Sequence, residues 1–516
     1  MIVFKDSFKN TPEGQKLKPV LPNERIEITI RIRRKKSIER ALKELEKNGK
    51  IYTREEYREE FGLSKEDVKK IHDFANAKGL SVAHASYSRR SMILVGTAQN
   101  LTKAFGVSLY YYKTNNGRTF RGRSGSFKIP KSLKGIIAGI FGLDNRPQTF
   151  AKYKLLGENK RNTKRRIKSF NPDELARLYN FPKADGNNQC IGIIEFGGGH
   201  SMKDMEHYFN SIHSPMPTIK SVSVGNAHNN PGTVDDNEVA LDIEVAGTIA
   251  PNATIVLYYA QNSAKGFIDS ITQAVHDNKN KPSVISISWG GAEVRWSKQA
   301  MKNFTEVCKA AALMGVTICV ATGDAGSDDK VSDGKAHVDF PASCPYVLAC
   351  GGTTLTSYGK KIMNEIAWNK APNAATGGGV SSFFRVPDYQ KKTRLPSSAN
   401  GTRFKGRGIP DLAAHADFKT GYRIYYRGAE HIAGGTSAVA PLIAGLIARI
   451  NQIRNKPAGF INSFLYKSPF IFRDITKGNN DTSADNEGYK AGKGWDATTG
   501  LGVVDGMKLL TLLANK

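Results

Sequence analysis

Ser437 stands in the run Gly434-Gly-Thr-Ser-Ala-Val-Ala-Pro441, directly ahead of the strongly apolar stretch Ala438 to Ile450. Glycines permit a tight entry into a buried helix, and a helix N-terminus offers free N–H donors and positive dipole beside the hydroxyl. A serine hydroxyl becomes a useful nucleophile only with a proton acceptor at hand. Glu238-Val-Ala-Leu-Asp242 offers two carboxylates for that work, provided neighbours control their pKa values and orientation. The plainer use of Thr436 or Ser437, as a helix N-cap, calls for no chemistry at all.

The segment 235–248 predicts a helix that Asp235 or Asp236 can cap. Its apolar positions Val239, Ala240, Leu241, Ile243, Val245 and Ala246 surround the cylinder, the pattern of a buried helix. Glu238 and Asp242 are four residues apart and therefore share one face, a turn apart. Crowded there, they titrate as a pair holding a shared proton near mildly acidic pH, so one can take the Ser437 proton while the other orients it. A surface Glu and Asp at this spacing is the ordinary alternative, and the burial pattern counts against it. A third carboxyl, Asp324, follows the strand-like Val316 to Ala321 in Thr-Gly-Asp-Ala-Gly-Ser. Such a residue often only forms a turn. Facing an oxyanion, it must be protonated to donate a hydrogen bond, which makes activity depend on acid.

These side chains need a frame. Cys190 to Phe196, Ala253 to Tyr259, Val284 to Ser288 and Gly315 to Ala321 read as apolar strands, alternating with helical stretches at 238–250, 266–276 and 300–314. The alternation predicts an α/β fold, a mostly parallel sheet covered by helices, with the chemistry at strand C-termini. Ahead of it, residues 24–113 alternate short pieces. Glu27 to Arg33 is strand-like, a helix from Ser37 closes on Gly49, Thr53 and Ser64 are N-caps, and Leu80 to Ala85 and Ser91 to Val95 return to strand. This is a compact α+β unit. Beyond residue 150, the run Lys160-Arg-Asn-Thr-Lys-Arg-Arg-Ile-Lys168 reads as a solvated basic linker.

The formal net charge of +28 suggests nucleic acid until it is located. Residues 1–168 carry 39 Lys and Arg against 16 Asp and Glu, and the rest of the chain 36 against 31. The basic third has no recognised nucleic-acid motif, so no nucleic-acid partner is expected; it is expected instead to cover a carboxylate-rich face. No stretch approaches 18 continuous apolar residues, and the first ten residues lack the apolar core of a signal peptide, so no membrane partner is expected. Five cysteines without metal-type spacing read as buried free thiols.

Together, Ile193-Ile-Glu-Phe-Gly-Gly-Gly199, Glu238-Val-Ala-Leu-Asp-Ile-Glu-Val-Ala-Gly247, Ser286-Ile-Ser-Trp-Gly-Gly291, Gly323-Asp324, His337-Val-Asp-Phe-Pro341 and Gly434 to Pro441 closely resemble the sedolisin (serine-carboxyl) peptidases. The resemblance implies a subtilisin-like catalytic domain over 169–516, a ferredoxin-like α+β activation prodomain over 1–150, and a basic linker over 151–168 that contains or adjoins the processing site. It implies Ser437 as nucleophile, Glu238 as general base where subtilisins place histidine, Asp242 as the partner that orients Glu238, and Asp324 as the oxyanion-hole acid. Glu195 and Trp289 would extend the hydrogen-bond chain, and Asp339 would floor the S1 pocket and favour a basic P1 residue.

Near the C-terminus, Asp474, Ile475, Gly492, Gly494 and Asp496 resemble the family's calcium loop, two carboxylates and three backbone carbonyls forming a hard-oxygen set for one structural Ca²⁺. The implied protein is an acid-active endopeptidase acting on proteins or peptides, made as a self-processing zymogen whose prodomain serves as intramolecular inhibitor and chaperone. It is expected to be extracellular and monomeric. A neutral subtilisin is the enzymatic rival, and no His-Gly-Thr-His segment supports it. A non-catalytic binding relative would be expected to lack a triad residue, and none is missing.

Overall fold

The computed structural model describes residues 1–516 except 116, 159–168, 332, 373, 483–487 and 515–516. Its largest sheet runs in the spatial order Thr218–Ser223, Thr254–Tyr259, Cys190–Glu195, Val284–Ile287, Thr317–Ala321, Leu348–Tyr358, Leu412–His415, Val503–Val504, each neighbour parallel to the next. Phe472–Arg473 closes that edge antiparallel. Cys190–Glu195 and Val284–Ile287 are buried along their whole length, which is why they read as unbroken apolar runs. From Cys190–Glu195 the chain winds to one side of the sheet and then, from Val284, to the other. The reversal lies between these two strands, and their C-terminal ends are where such folds hold their sites.

Helices Asp236–Ile249 and Thr436–Arg454 pack on each other and on this sheet. All fourteen residues of the first are buried. By length and composition the second could cross a membrane, but 83% of its apolar window is buried inside the protein. The two backbones approach closely at Gly445, where a Cβ would lie 2.6 Å from both Cβ and Cγ2 of Ile249. The expected acidic cap is absent. Asp235 occupies the N-cap position without a side-chain capping bond, and Asp236 instead accepts N–H bonds from Gly199 at 3.0 Å and Gly232 at 2.7 Å. The helix start is thereby tied to the loop after Cys190–Glu195. All five cysteines are free and buried.

The N-terminal unit holds a four-stranded antiparallel sheet in the order Ser81–Ser86, Ser91–Thr97, Arg25–Ile32, Ile137–Phe141, the strand order of a ferredoxin-like split βαβ. Helix Glu39–Asn48 closes on Gly49 at φ 70°, Thr53 and Glu56 form the capping box, and Ser64 accepts the Asp67 N–H. Helix Ala98–Phe105 and strand Ile137–Phe141 were outside the periodic segments read from sequence.

Helix Lys298–Leu313 docks against this unit. Gln299 exchanges hydrogen bonds with both backbone groups of Ile140, and Asn303 donates to Ala138 O at 2.9 Å. The expectation of a basic N-terminal unit set on an acidic face holds only in part. Among the described residues Arg34–Glu306 has that polarity, as does Lys152 between Asp329 and Asp339, whereas Lys265–Glu27, Lys302–Asp6 and Lys309–Glu39 place the acid on the N-terminal side. The contact is therefore of mixed polarity, with Arg34, Arg54 and Arg89 also donating across it to Glu306, Val275, Pro282 and Gln273.

Residues 159–168 of the expected linker lie outside the described residues. The portion before them is not a solvated connection. Phe150–Ala151 pairs antiparallel with Trp289–Ala292, and Lys154–Glu158 pairs antiparallel with Ala429–Gly434, so this segment is built into two edges of the larger domain.

Gly445→Ala should push the two central helices apart, since added volume in a packed core costs about 1–3 kcal/mol. A clearly lowered Tm by calorimetry, with an unchanged circular dichroism spectrum at low temperature, is the expected outcome.

Candidate active site

At the switch point the structure gathers Ser437, Glu238, Asp242, Glu195, Trp289 and Asp324, delivered by two helices and three strand ends. Ser437, Glu238, Asp242 and Glu195 are each 0% exposed. Asp242 Oδ1 accepts the Ser288 hydroxyl at 2.7 Å, and Glu195 Oε2 accepts the Trp289 indole N–H at 2.9 Å. The Ser437 hydroxyl donates to Ser288 O at 3.3 Å and is also close enough to Glu238 to favour its ionised form. Both Glu238 oxygens, Asp242 Oδ2 and Glu195 Oε1 otherwise lack a hydrogen-bond partner.

Three buried carboxyls, with only two serine hydroxyls and an indole as donors, must be compensated by protons of their own. Burial raises Glu238 well above the usual carboxylate range, with Asp242 and Glu195 adding to it. Burial pushes Asp242 up to about 8 against the opposing bond from Ser288. Glu195 is likewise held well up, first by burial and then by Asp242. Such a group titrates as a unit, and whichever carboxyl gives up its proton becomes a base next to the Ser437 hydroxyl. Ser288 carries no signature of its own in the sequence, being a serine just after the apolar strand Val284–Ile287.

Asp324 sits across the Ser437 backbone. Its Oδ1 accepts both the N–H and the hydroxyl of Thr436 at 2.8 Å, while Oδ2 is buried without a partner. Burial pushes it up to about 6, opposed by the Thr436 bonds and by Lys152 and Lys154. Gly435, at φ 114°, is required here. A Cβ would run into Asp324 Oδ2 and Lys152 O, and would lie 2.8 Å from Tyr153 Cα.

The cleft is filled by the chain itself. Lys152 O accepts the Ser437 N–H at 2.9 Å, and Lys152 N–H donates to Ser288 O at 3.1 Å. The Lys152 ammonium lies 2.5 Å from Asp339 Oδ2 and 3.4 Å from Asp329 Oδ1. Burial alone would lower its pKa, but Asp329 and Asp339 hold it above the usual lysine value. Asp339 thus lines a closed acidic pocket, and Asp329 is a second carboxylate there that sequence reading missed.

The five residues read as a calcium loop also come together. Gly494 N–H donates to Asp474 Oδ2 at 2.8 Å, and Gly492 N–H to Asp496 Oδ2 at 3.2 Å. Burial raises the Asp496 pKa. Among the described residues no three His, Cys, Asp or Glu side chains cluster to hold a metal. A cation at this turn would therefore draw on carbonyls and water as well as the two carboxylates, a mixed oxygen set that Ca²⁺ accepts.

Comparison with known proteins agrees with the architecture. Residues 12–146 match the family model described as Pro-kumamolisin, activation domain, and residues 220–466 match the Subtilase family. The chain is 41% identical to kumamolisin from Bacillus sp. (strain MN-32), over 98% of this chain and 94% of that protein. It is 27% identical to sedolisin from Pseudomonas sp. (strain 101), over 89% of this chain and 81% of that one. The solved structure of Pseudomonas sedolisin (serine-carboxyl proteinase), complexed with two molecules of pseudo-iodotyrostatin, superposes with a TM-score of 0.61 at 28% identity, covering 68% of this chain and all of that one.

Carboxyls whose folded pKa is raised hold protons that the unfolded chain has released. The stability they give is present at low pH and is lost as pH rises through the raised value. For Asp242 the window runs from about 4 to about 8. In uncleavable Ser437→Ala protein, Tm should fall as pH rises across that window, and Asp242→Asn should make the fall shallower.

Proposed function

Since the chain belongs to the family of kumamolisin and sedolisin, serine peptidases made with an activation domain, we propose that it is an acid-active serine-carboxyl endopeptidase synthesised as a self-processing zymogen. The reading is carried by one observation: the Ser437 hydroxyl abuts a buried row of carboxyls whose hydrogen-bond donors are all neutral. Ser437 attacks the peptide carbonyl and passes its proton to Glu238. Asp242, fixed by Ser288, keeps Glu238 basic enough to take that proton and acidic enough to return it to the leaving amine. Glu195 and Trp289 hold the far end of the row. The Ser437 N–H and the protonated Asp324 carboxyl stabilise the oxyanion.

In this reading the prodomain covers 1–150, the linker 151–168 and the peptidase 169–516, and the enzyme acts outside the cell as a monomer. Asp339 selects a basic P1 side chain. Asp474 and Asp496, with the carbonyls of Ile475, Gly492 and Gly494, hold one Ca²⁺, which would brace the C-terminal turn.

Hydrolysis of a denatured protein should fall by on the order of 10⁶ in Ser437→Ala, and by several orders of magnitude in Glu238→Gln. Activity should rise as pH falls through about 6, where Asp324 gains its proton. Asp324→Asn, an amide donor at every pH, should lose that limb of the pH–rate profile. Chelation of calcium should lower Tm, added Ca²⁺ should restore it, and Asp474→Asn should abolish the response.

A further inference from the structure

The segment lying in the cleft presents one peptide bond to the nucleophile. On its N-terminal side, Phe150 pairs with Gly290 and Ala151 with Trp289, and Lys152 N–H continues the ladder to Ser288 O. On its C-terminal side, Lys154 pairs with Gly434, which belongs to the opposite wall. The chain crosses from one wall to the other at the Lys152–Tyr153 peptide. There Lys152 O already accepts the N–H of Ser437 itself, and Gly435 has no side chain because Lys152 O and Tyr153 Cα occupy the space. The Lys152 ammonium is closed into a buried pocket between Asp329 and Asp339. An extended strand, an anchored side chain and a carbonyl seated on an oxyanion donor are what a bound substrate needs.

We propose that the proenzyme first cuts itself in cis between Lys152 and Tyr153, with Asp329 and Asp339 together reading the lysine. This rests on Ser437 being the nucleophile. Ser437 Oγ forms a bond to the Lys152 carbonyl carbon as its proton passes to Glu238, and the carbonyl π pair moves onto the oxygen held by the Ser437 N–H and Asp324. When that oxygen reforms the double bond, the bond to the Tyr153 nitrogen breaks and the nitrogen takes the proton from Glu238. Water then attacks the acyl ester, giving its proton to Glu238. Collapse returns that proton to Ser437 Oγ and leaves Lys152 with a free carboxyl. The two strands that had been one are then held in the cleft by their separate ladders.

The test follows purified wild-type proenzyme after a jump from neutral pH to about pH 4, with intact-mass measurement and N-terminal sequencing of quenched samples. The first products should be residues 1–152 and a fragment beginning at Tyr153, formed with a first-order constant that does not change over a wide range of protein concentration. Lys152→Arg should keep this cut. Lys152→Glu, a third acid in the pocket, should slow it by roughly a hundredfold, and Asp329→Asn should slow it about tenfold. The wild-type product map needs no variant and stands even if one of these misfolds. A first new N-terminus elsewhere, or a rate proportional to concentration, in protein that degrades denatured casein would overturn the proposal while leaving Ser437 as nucleophile. Absence of both self-cleavage and casein hydrolysis would overturn the nucleophile assignment as well.

Discussion

Acid side chains in a protein interior can be neutralised by cations or by protons, and around Ser437 this fold relies on protons. Helix Asp236–Ile249 is buried on every side, so Glu238 and Asp242 cannot turn to water, and Glu195 lies at the end of a strand covered on both faces. Their donors are two serine hydroxyls and an indole rather than a lysine or arginine. A lysine or arginine in this row would hold the carboxylates in the ionised state. Without one, the row is costly to ionise and natural to protonate, which links the stability of the core and the chemistry of the site to the same variable.

The arrangement depends on restraint from several directions. Asp236 gathers the N–H groups of Gly199 and Gly232, fixing the start of the helix that carries Glu238. Glu244, two turns on, receives the Tyr425 N–H on both oxygens and ties the same helix to the hairpin Tyr422–Tyr426 and Ala429–Gly434 that leads into Ser437. Thr436 grips Asp324 with backbone and hydroxyl together, which fixes the Asp324 carboxyl beside Ser437. These anchors act over one or two contacts each, and such short reach is what holds reacting groups within a fraction of an ångström.

Much of this could be read from the chain alone because it obeyed simple periodicities. The unbroken apolar strands, the all-round apolar helix with carboxyls four apart and the glycine-led serine each carry a local signature, and each appears where that signature put it. What could not be read depended on partners distant in sequence. Residues 150–158 are short and mixed in character, and become strands only because Trp289–Ala292 and Ala429–Gly434 offer free edges to pair with. Asp329 lies ten residues from Asp339 in sequence and joins it only around the Lys152 ammonium. Asp235 has the composition of a cap, yet a neighbouring loop claims Asp236 and draws the turn away. The charge of the N-terminal third is only partly informative for a related reason: net charge does not tell that Lys152 enters the acidic pocket while Asp6, Glu27 and Glu39 supply acids elsewhere.

Lys152 and Lys154 both pull the Asp324 pKa down, and both belong to the segment that fills the cleft. With that segment in place, burial still outweighs both lysines and holds the Asp324 carboxyl at about 6. Its departure would remove two cations from beside the carboxyl and open the same carboxyl to water, changes that act on its pKa in opposite senses. The segment that fills the cleft is thereby part of this carboxyl's own environment, and its removal resets the proton equilibrium beside Ser437.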